Sequence, residues 1–417
     1  MERELTRQDI DLMAPVGSFE SLMAAIQGGA DSVYFGIGKF NMRARSSVNF
    51  SPGDLTKITR ICRNFNKKAY LALNIIFYDE ELDDMKRAVD LALENGVNAV
   101  IAADQAAIDY AHRQGMEVHL STQVNISNTQ SLRFYSGFAD VAVLARELNL
   151  DQVAEITGRI KSQNITGPSG SLMRVELFAH GALCMSVSGK CYLSLHHHGH
   201  SANRGDCLQD CRKRYSVIEK ENGLELDIDH EYIMSPKDLC TIHFLNKIIH
   251  AGVRVLKIEG RARSPEYVKV VSGCYDEALN SYFDGTYNAE KIFAWQERLS
   301  SVFNRGFWDG YYLGQKLGEW SQVYGSRATL KKRYVAKNLN YYVKAGVAEF
   351  LCEAGTLNEG DKILIIGPST GVIELSVEEI RVDLVKVDTA KTGERFSISV
   401  PRKIRRADKM YKLTTDN

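Results

Sequence analysis

DLMAPVGSFESLMAAIQGGADSVYFGI, residues 11–37, reads as a strand, a helix and a second strand. DLMAP and DSVYFGI are short apolar runs, and FESLMAAIQGG between them has apolar residues at helical spacing before Gly28 and Gly29. A glycine after the last turn stops a helix and releases the chain into the next strand. The alternation continues to about residue 280. Further strands are expected at KAYLALN (68–74), NAVIAAD (98–104), EVHLSTQ (117–123), DVAVLAR (140–146), RVELFAH (174–180) and VRVLKIE (253–259). Amphipathic segments such as ELDDMKRAVDLALENG separate them, and Gly96, Gly115, Gly137 and Gly252 punctuate their ends. Eight near-continuous apolar strands alternating with helices predict a parallel (β/α)8 barrel of the TIM type. An open doubly wound sheet is the alternative, but no Gly-rich phosphate loop follows the first strand.

In such a barrel the chemistry gathers where the strands end. Those ends carry Asn41, Arg43, Arg45, Asn74, Asp104, Gln105, Gln123, Asn125 and Arg146. Strand seven contributes Glu176 and His180, and strand eight Lys257, Glu259 and Arg261. Polar strand ends occur in any barrel, but permanently charged guanidinium groups collected on one rim suit carboxylate or phosphate binding. Arg43, Arg45, Glu176, Lys257, Glu259 and Arg261 are the candidate catalytic residues.

An insertion after strand seven, ELFAHGALCMSVSGKCYLSLHHHGHSANRGDCLQDCRKRY, places Cys184, Cys191, Cys207 and Cys211 within 28 residues. The spacing C-x6-C-x15-C-x3-C, among glycines and polar residues, belongs to a loop able to present two thiolate pairs to one centre. No secretory signal opens the chain, so disulfides are not expected. Zinc and an iron–sulfur cluster both take four thiolates, and the wide, irregular spacing favours the cluster, with zinc and then unliganded cysteines as the alternatives. Cys62, Cys274 and Cys352 sit in helix or strand patterns as small apolar residues, and Cys240 is read as a spare. The histidines of HHHGH (His196 to His200) are adjacent on a loop and diverge more than they converge.

Composition sets outer bounds. The 417 residues suffice for a large domain and a small one, with 52 basic against 52 acidic side chains and thus no bulk attraction to nucleic acid. No apolar run approaches the ~18 residues of a membrane span, and the location expected is cytoplasmic. The barrel domain is expected over 1–325, a linker over 326–335, and a small all-β barrel over 336–417. Residues 330–417 carry 16 basic and 12 acidic side chains, and PRKIRRADKMYK concentrates six of the bases. With Tyr341 and Tyr342, that strip is either an RNA-contacting face or a solvated strand edge. No G-x-S-x-G, HExxH or Walker motif is present.

The opening segment to FNMRARS, the signature Glu176-x-Phe178-x-x-Gly181-x-x-Cys184-x6-Cys191-x-x-Ser194, and NRGDCLQDCRKRY, MSPKDLC, LKIEGRARSPEYV and NRGFWDGYYLG together resemble peptidase family U32 over residues 10 to 315. Some members are described as collagenases. Others are prephenate-dependent tRNA hydroxylases that make 5-hydroxyuridine at the wobble position, an rRNA cytidine hydroxylase, and a pair of ubiquinone-hydroxylation proteins with a four-cysteine [4Fe–4S] cluster. The resemblance implies that Cys184, Cys191, Cys207 and Cys211 hold such a cluster, with zinc as the alternative occupant. The intact Cys207–Cys211 pair is similar to the RNA-modifying branch. It also implies tRNA as partner, prephenate as co-substrate, and a function as tRNA hydroxylase. A collagenase-like peptidase and a scaffold subunit for a second, shorter family protein are the alternatives.

Overall fold

The computed structural model describes residues 4–42, 44, 49–216, 232–323 and 325–415. Seven parallel strands follow in chain order: β1 (Asp11–Pro15), β2 (Ser32–Phe35), β3 (Lys68–Leu73), β4 (Ala99–Ala102), β5 (Glu117–Leu120), β6 (Val141–Val143) and β7 (Arg174–Ala182). A three-residue strand, β8 (Asp238–Cys240), adds antiparallel to the end of β7, and β10 (Phe307–Trp308) lies beside it. β9 (Val255–Ile258) pairs in parallel with both β7 and β1, at Phe178↔Lys257 and Leu12↔Leu256, and so closes an eight-stranded parallel barrel. All eight predicted strands are the barrel strands.

Helices α1 (Phe19–Gln27), α2 (Leu55–Asn64), α3 (Leu82–Glu94), α4 (Gln105–Arg113), α5 (Thr129–Tyr135) and α6 (Leu150–Ser162) separate β1 to β7. The β7–β9 crossover carries α7 (Leu193–His198) and α8 (Leu245–His250), and α9 (Pro265–Phe283) and α10 (Ala289–Ser300) follow β9. Several helices start on side-chain caps set just past the strand ends. Ser18, Asp104, Asn128 and Asn149 each accept a backbone N–H of the first turn, which contributes about 1 kcal/mol apiece. Gly29 stands at φ +81°, where a Cβ would lie 2.5 Å from the Asp276 carboxylate, so only glycine lets α1 end against α9.

Strands covered on both faces explain the continuous apolar runs. Outside, Leu12, Phe35, Leu71 and Leu256 meet the helices; inside, Met13, Tyr34, Tyr70, Ile101, Val141 and Val255 form a separate cluster. Side chains two apart along a strand share a face, so Glu176 joins this interior between Arg174 and Phe178.

Residues 330–415 build an antiparallel eight-stranded sheet and a two-stranded one around Phe350, Ile365, Phe396 and Met410. Its first strand begins at Leu330, paired with Thr415, so the second half of the stretch expected as linker is strand. This unit is docked on the barrel. Gln27 Nε2 donates to the Thr370 carbonyl at 2.8 Å, the Val372 N–H donates back to Gln27 Oε1 at 2.9 Å, and Lys269 donates to the Val372 carbonyl. Leu364, Ile366 and Val372 pack into the outer core of the barrel. Among the described residues no helix is long and apolar enough to cross a membrane.

Candidate active site

The C-terminal ends of the strands and the cysteine loop enclose a cavity of about 150 Å³. Tyr34, Ala72, Ile101, Phe178 and Lys257 come from the strands, and Cys184, Cys191, Cys207 and Cys211 from the loop above them. All four cysteines therefore line one cavity. They are also electrostatically close: burial pushes the Cys211 thiol up to about 11, and charge on Cys184, Cys207 or Cys191 pushes it in the same direction.

Two arginines fix the loop. Arg204 grips Glu81 through both terminal nitrogens, at 2.6 and 2.8 Å, and donates to the Ile76 carbonyl at 2.7 Å. This fork is the main reason the Glu81 carboxyl is held down at about 2. Arg212 donates to the carbonyls of Leu183 and Pro236 and to the Ser235 hydroxyl, tying both ends of the insertion together. Gly181, at φ +110°, lets β7 pass β9 where a Cβ would sit 2.5 Å from the Glu259 carbonyl oxygen.

Beneath the cavity, charges alternate through the barrel interior. Lys257 Nζ is 2.7 Å from Glu176 Oε1; Glu176 Oε2 is 3.8 Å from His119 Nδ1; His119 Nε2 is 3.1 Å from Glu117, which Arg174 holds at 2.7 Å. Burial opposes ionisation of Glu176, but Lys257 and His119 outweigh it and lower its pKa. Burial likewise opposes charging of His119, and Glu117 and Glu176 outweigh it, raising its pKa. Lys257 also lies over the Tyr34 ring, 4.8 Å from its centroid.

The structure sorts the predicted residues. Lys257, Glu259 and Arg261 line the cavity, and Arg261 donates to Asn41 Oδ1 at 2.8 Å. Glu176 does not reach the cavity: expected at the rim, it is fully buried one layer below because period two turns it inward with Arg174 and Phe178. Arg43 and Arg45 lie outside the described residues. Cys240 is buried in β8 opposite His180, away from the cavity, and burial pushes its thiol up to about 12. His180 is also buried and held down at about 3, by burial and then by Arg263, so it stays neutral.

Arg146 is the cation that position alone understated. It lines the cavity, stacks 4.1 Å from the Phe178 centroid, and has no ion-pair partner among the described residues. His197, His198 and Asp210 bring three ligating atoms within 4.8 Å of one another, a convergence supplied by Asp210 from the far side of the loop. Lys213 contacts the same carboxylate.

Comparison with known proteins gives these features a setting. The family described as peptidase family U32 matches residues 17–322. A protein of Porphyromonas gingivalis named collagenase is 60% identical over 97% of this chain and 98% of its own length. A tRNA hydroxylation protein of Bacillus subtilis is 30% identical over 91% of this chain and 88% of its own. A 23S rRNA 5-hydroxycytidine synthase of Escherichia coli is 34% identical over 88% of this chain and 55% of its own.

Proposed function

The chain belongs to peptidase family U32, and from that premise we propose that it is an RNA-modifying hydroxylase. Its reaction is formation of 5-hydroxyuridine at the tRNA wobble position, with prephenate as oxygen donor. One observation carries the reading: four thiols and the cations Arg146, Lys257 and Arg261 line the same cavity. Relatives named for tRNA and rRNA hydroxylation support the substrate class.

Cys184, Cys191, Cys207 and Cys211 would hold a [4Fe–4S] cluster, which supplies one-electron redox chemistry when bound. The chain's own residues do the rest. Replacing C5–H by C5–OH needs the donor anion and the base held against each other, with water excluded. Arg146 offers a planar fork, unspent on any described carboxylate, for one carboxylate of the donor. Arg261 lines the same cavity and would take the second. Lys257, oriented by Glu176, would present an ammonium hydrogen where negative charge develops, and Glu259 would take the proton that leaves C5. The exposed bases Arg402, Lys403, Arg405 and Arg406 of the C-terminal unit give the tRNA backbone a place to rest.

The test is anaerobic incubation of the iron-loaded protein with prephenate and unmodified tRNA, followed by nucleoside mass spectrometry. Appearance of 5-hydroxyuridine that requires prephenate is expected. Its absence with cluster-replete protein removes the hydroxylase reading.

The collagenase name of the 60% identical relative favours a second reading, a peptidase. No histidine among the described residues lines the cavity, so a Ser–His or Cys–His pair there has no base. A hydrolytic metal would instead sit at His197, His198 and Asp210. Collagen cleavage that survives loss of iron and disappears in His198→Ala would establish that reading.

A further inference from the structure

Beside the cysteine cavity lies a second chamber, of about 210 Å³, walled by Trp308, Tyr311, Tyr312 and Trp320. Arg146, Cys184 and Ser188 line both spaces and form the partition between them. Trp308 and Tyr312 are buried, whereas Tyr311 and Trp320 are partly open on the rim. Behind the walls, Trp308 Nε1 and Arg146 Nε are both buried without a hydrogen-bond partner among the described residues. Gly318 keeps the rings uncovered. A Cβ there would stand 3.6 Å from the Tyr311 hydroxyl and 3.7 Å from both indoles, touching three of the four aromatic side chains.

Flat aromatic faces complement a nucleobase, which offers a π face for stacking. An enzyme that acts on a base must take it out of its stack and house it. We propose that this chamber receives the unstacked nucleobase of the RNA substrate, its edge directed through the Arg146–Cys184 partition toward the thiol-lined cavity. The proposal rests on the RNA-modifying reading above and adds to it where the base is held.

The chain has three tryptophans; two line the chamber, and Trp295 lies apart in α10, stacked on Tyr287. Intrinsic fluorescence of the full chain is therefore a direct readout. Titration with uridine 5′-monophosphate is expected to give saturable quenching that ribose 5-phosphate, which has no base, does not reproduce. Trp320→Leu and Gly318→Leu should each weaken binding about tenfold or more. Gly318→Leu leaves every aromatic residue in place, and an unchanged melting temperature excludes misfolding as the cause. Equal quenching by ribose 5-phosphate, or unchanged affinity in both variants, overturns the proposal. Failure of the two readings separates cleanly. Full RNA hydroxylation by the plugged variant removes the chamber, whereas nucleotide binding without any RNA hydroxylation removes the enzyme reading and leaves the chamber standing.

Discussion

Lys257 and Glu176 form an ion pair of 2.7 Å sealed inside the barrel, with the lysine facing the cavity and the glutamate lying wholly beneath it. The pair holds an ammonium group at the mouth without leaving its charge uncompensated in a low-dielectric interior. Breaking it from one side is the costly change. Glu176→Gln is expected to destabilise the fold by about 3–5 kcal/mol, whereas Glu176→Gln with Lys257→Met should recover much of that loss. Urea unfolding of the three proteins checks this, and additive losses in the double variant would refute the coupling.

His119 gives the interior a pH dependence. Its folded pKa lies above the ordinary histidine value because Glu117 and Glu176 outweigh burial. The stabilisation from charged His119 is therefore fully present below about pH 6.5 and is lost as pH rises through the higher folded value. Unfolding midpoints of wild type and His119→Asn should converge above that value and separate at pH 6. A constant difference across the range would show that His119 acts through shape alone.

Arg146 is the residue most exposed to a functional test without a structural one, since no described carboxylate depends on it. Arg146→Leu should retain iron and its melting temperature while kcat/KM for RNA hydroxylation falls roughly 10- to 100-fold, the worth of a charge-assisted contact. A fully active variant would pass the anion-binding role to Arg261, or to Arg43 and Arg45.

The four cysteines predict about four irons per chain after anaerobic purification, with the accompanying sulfide and visible absorption. Cys207→Ala should lose most of both. One zinc per chain and no sulfide would make the centre structural.

Glu81 and Arg204 set the acid limit of the loop. With the Glu81 carboxyl held at about 2, the clip is intact above the ordinary glutamate range of about 4.3 and fails only as pH falls toward 2. Protease nicking between residues 184 and 211 should therefore be no faster at pH 5 than at pH 7 in wild type. Arg204→Met should raise it at both.

The barrel was legible because each of its strands is covered on both sides and reads as an unbroken apolar run. The thiol-lined mouth was legible because its four cysteines are local in sequence. Side-chain partnership was not. Arg261 and Arg146 look equivalent as strand-end arginines, yet only the fold shows one bonded to Asn41 and the other stacked on Phe178. Glu176 was placed one layer too high because strand length does not reveal where the mouth begins. β8 escaped notice since three residues, Asp238–Cys240, carry no period. Asp210 meets His197 and His198 across a turn of the loop that spacing alone does not close.

The position of the cysteine insertion has a consequence for assembly. β9 closes the barrel through backbone pairing with β1 and β7, none of which passes through the loop. Barrel closure therefore does not require that the proposed thiol site be filled. On the reading that the four thiols hold a cluster, the scaffold would mature first and receive that guest afterwards, in a segment whose ends are already held by the pairing of β7 with β9. Loss of that guest to oxidation would then leave a folded, reloadable protein, so the centre could be repaired without making the chain anew.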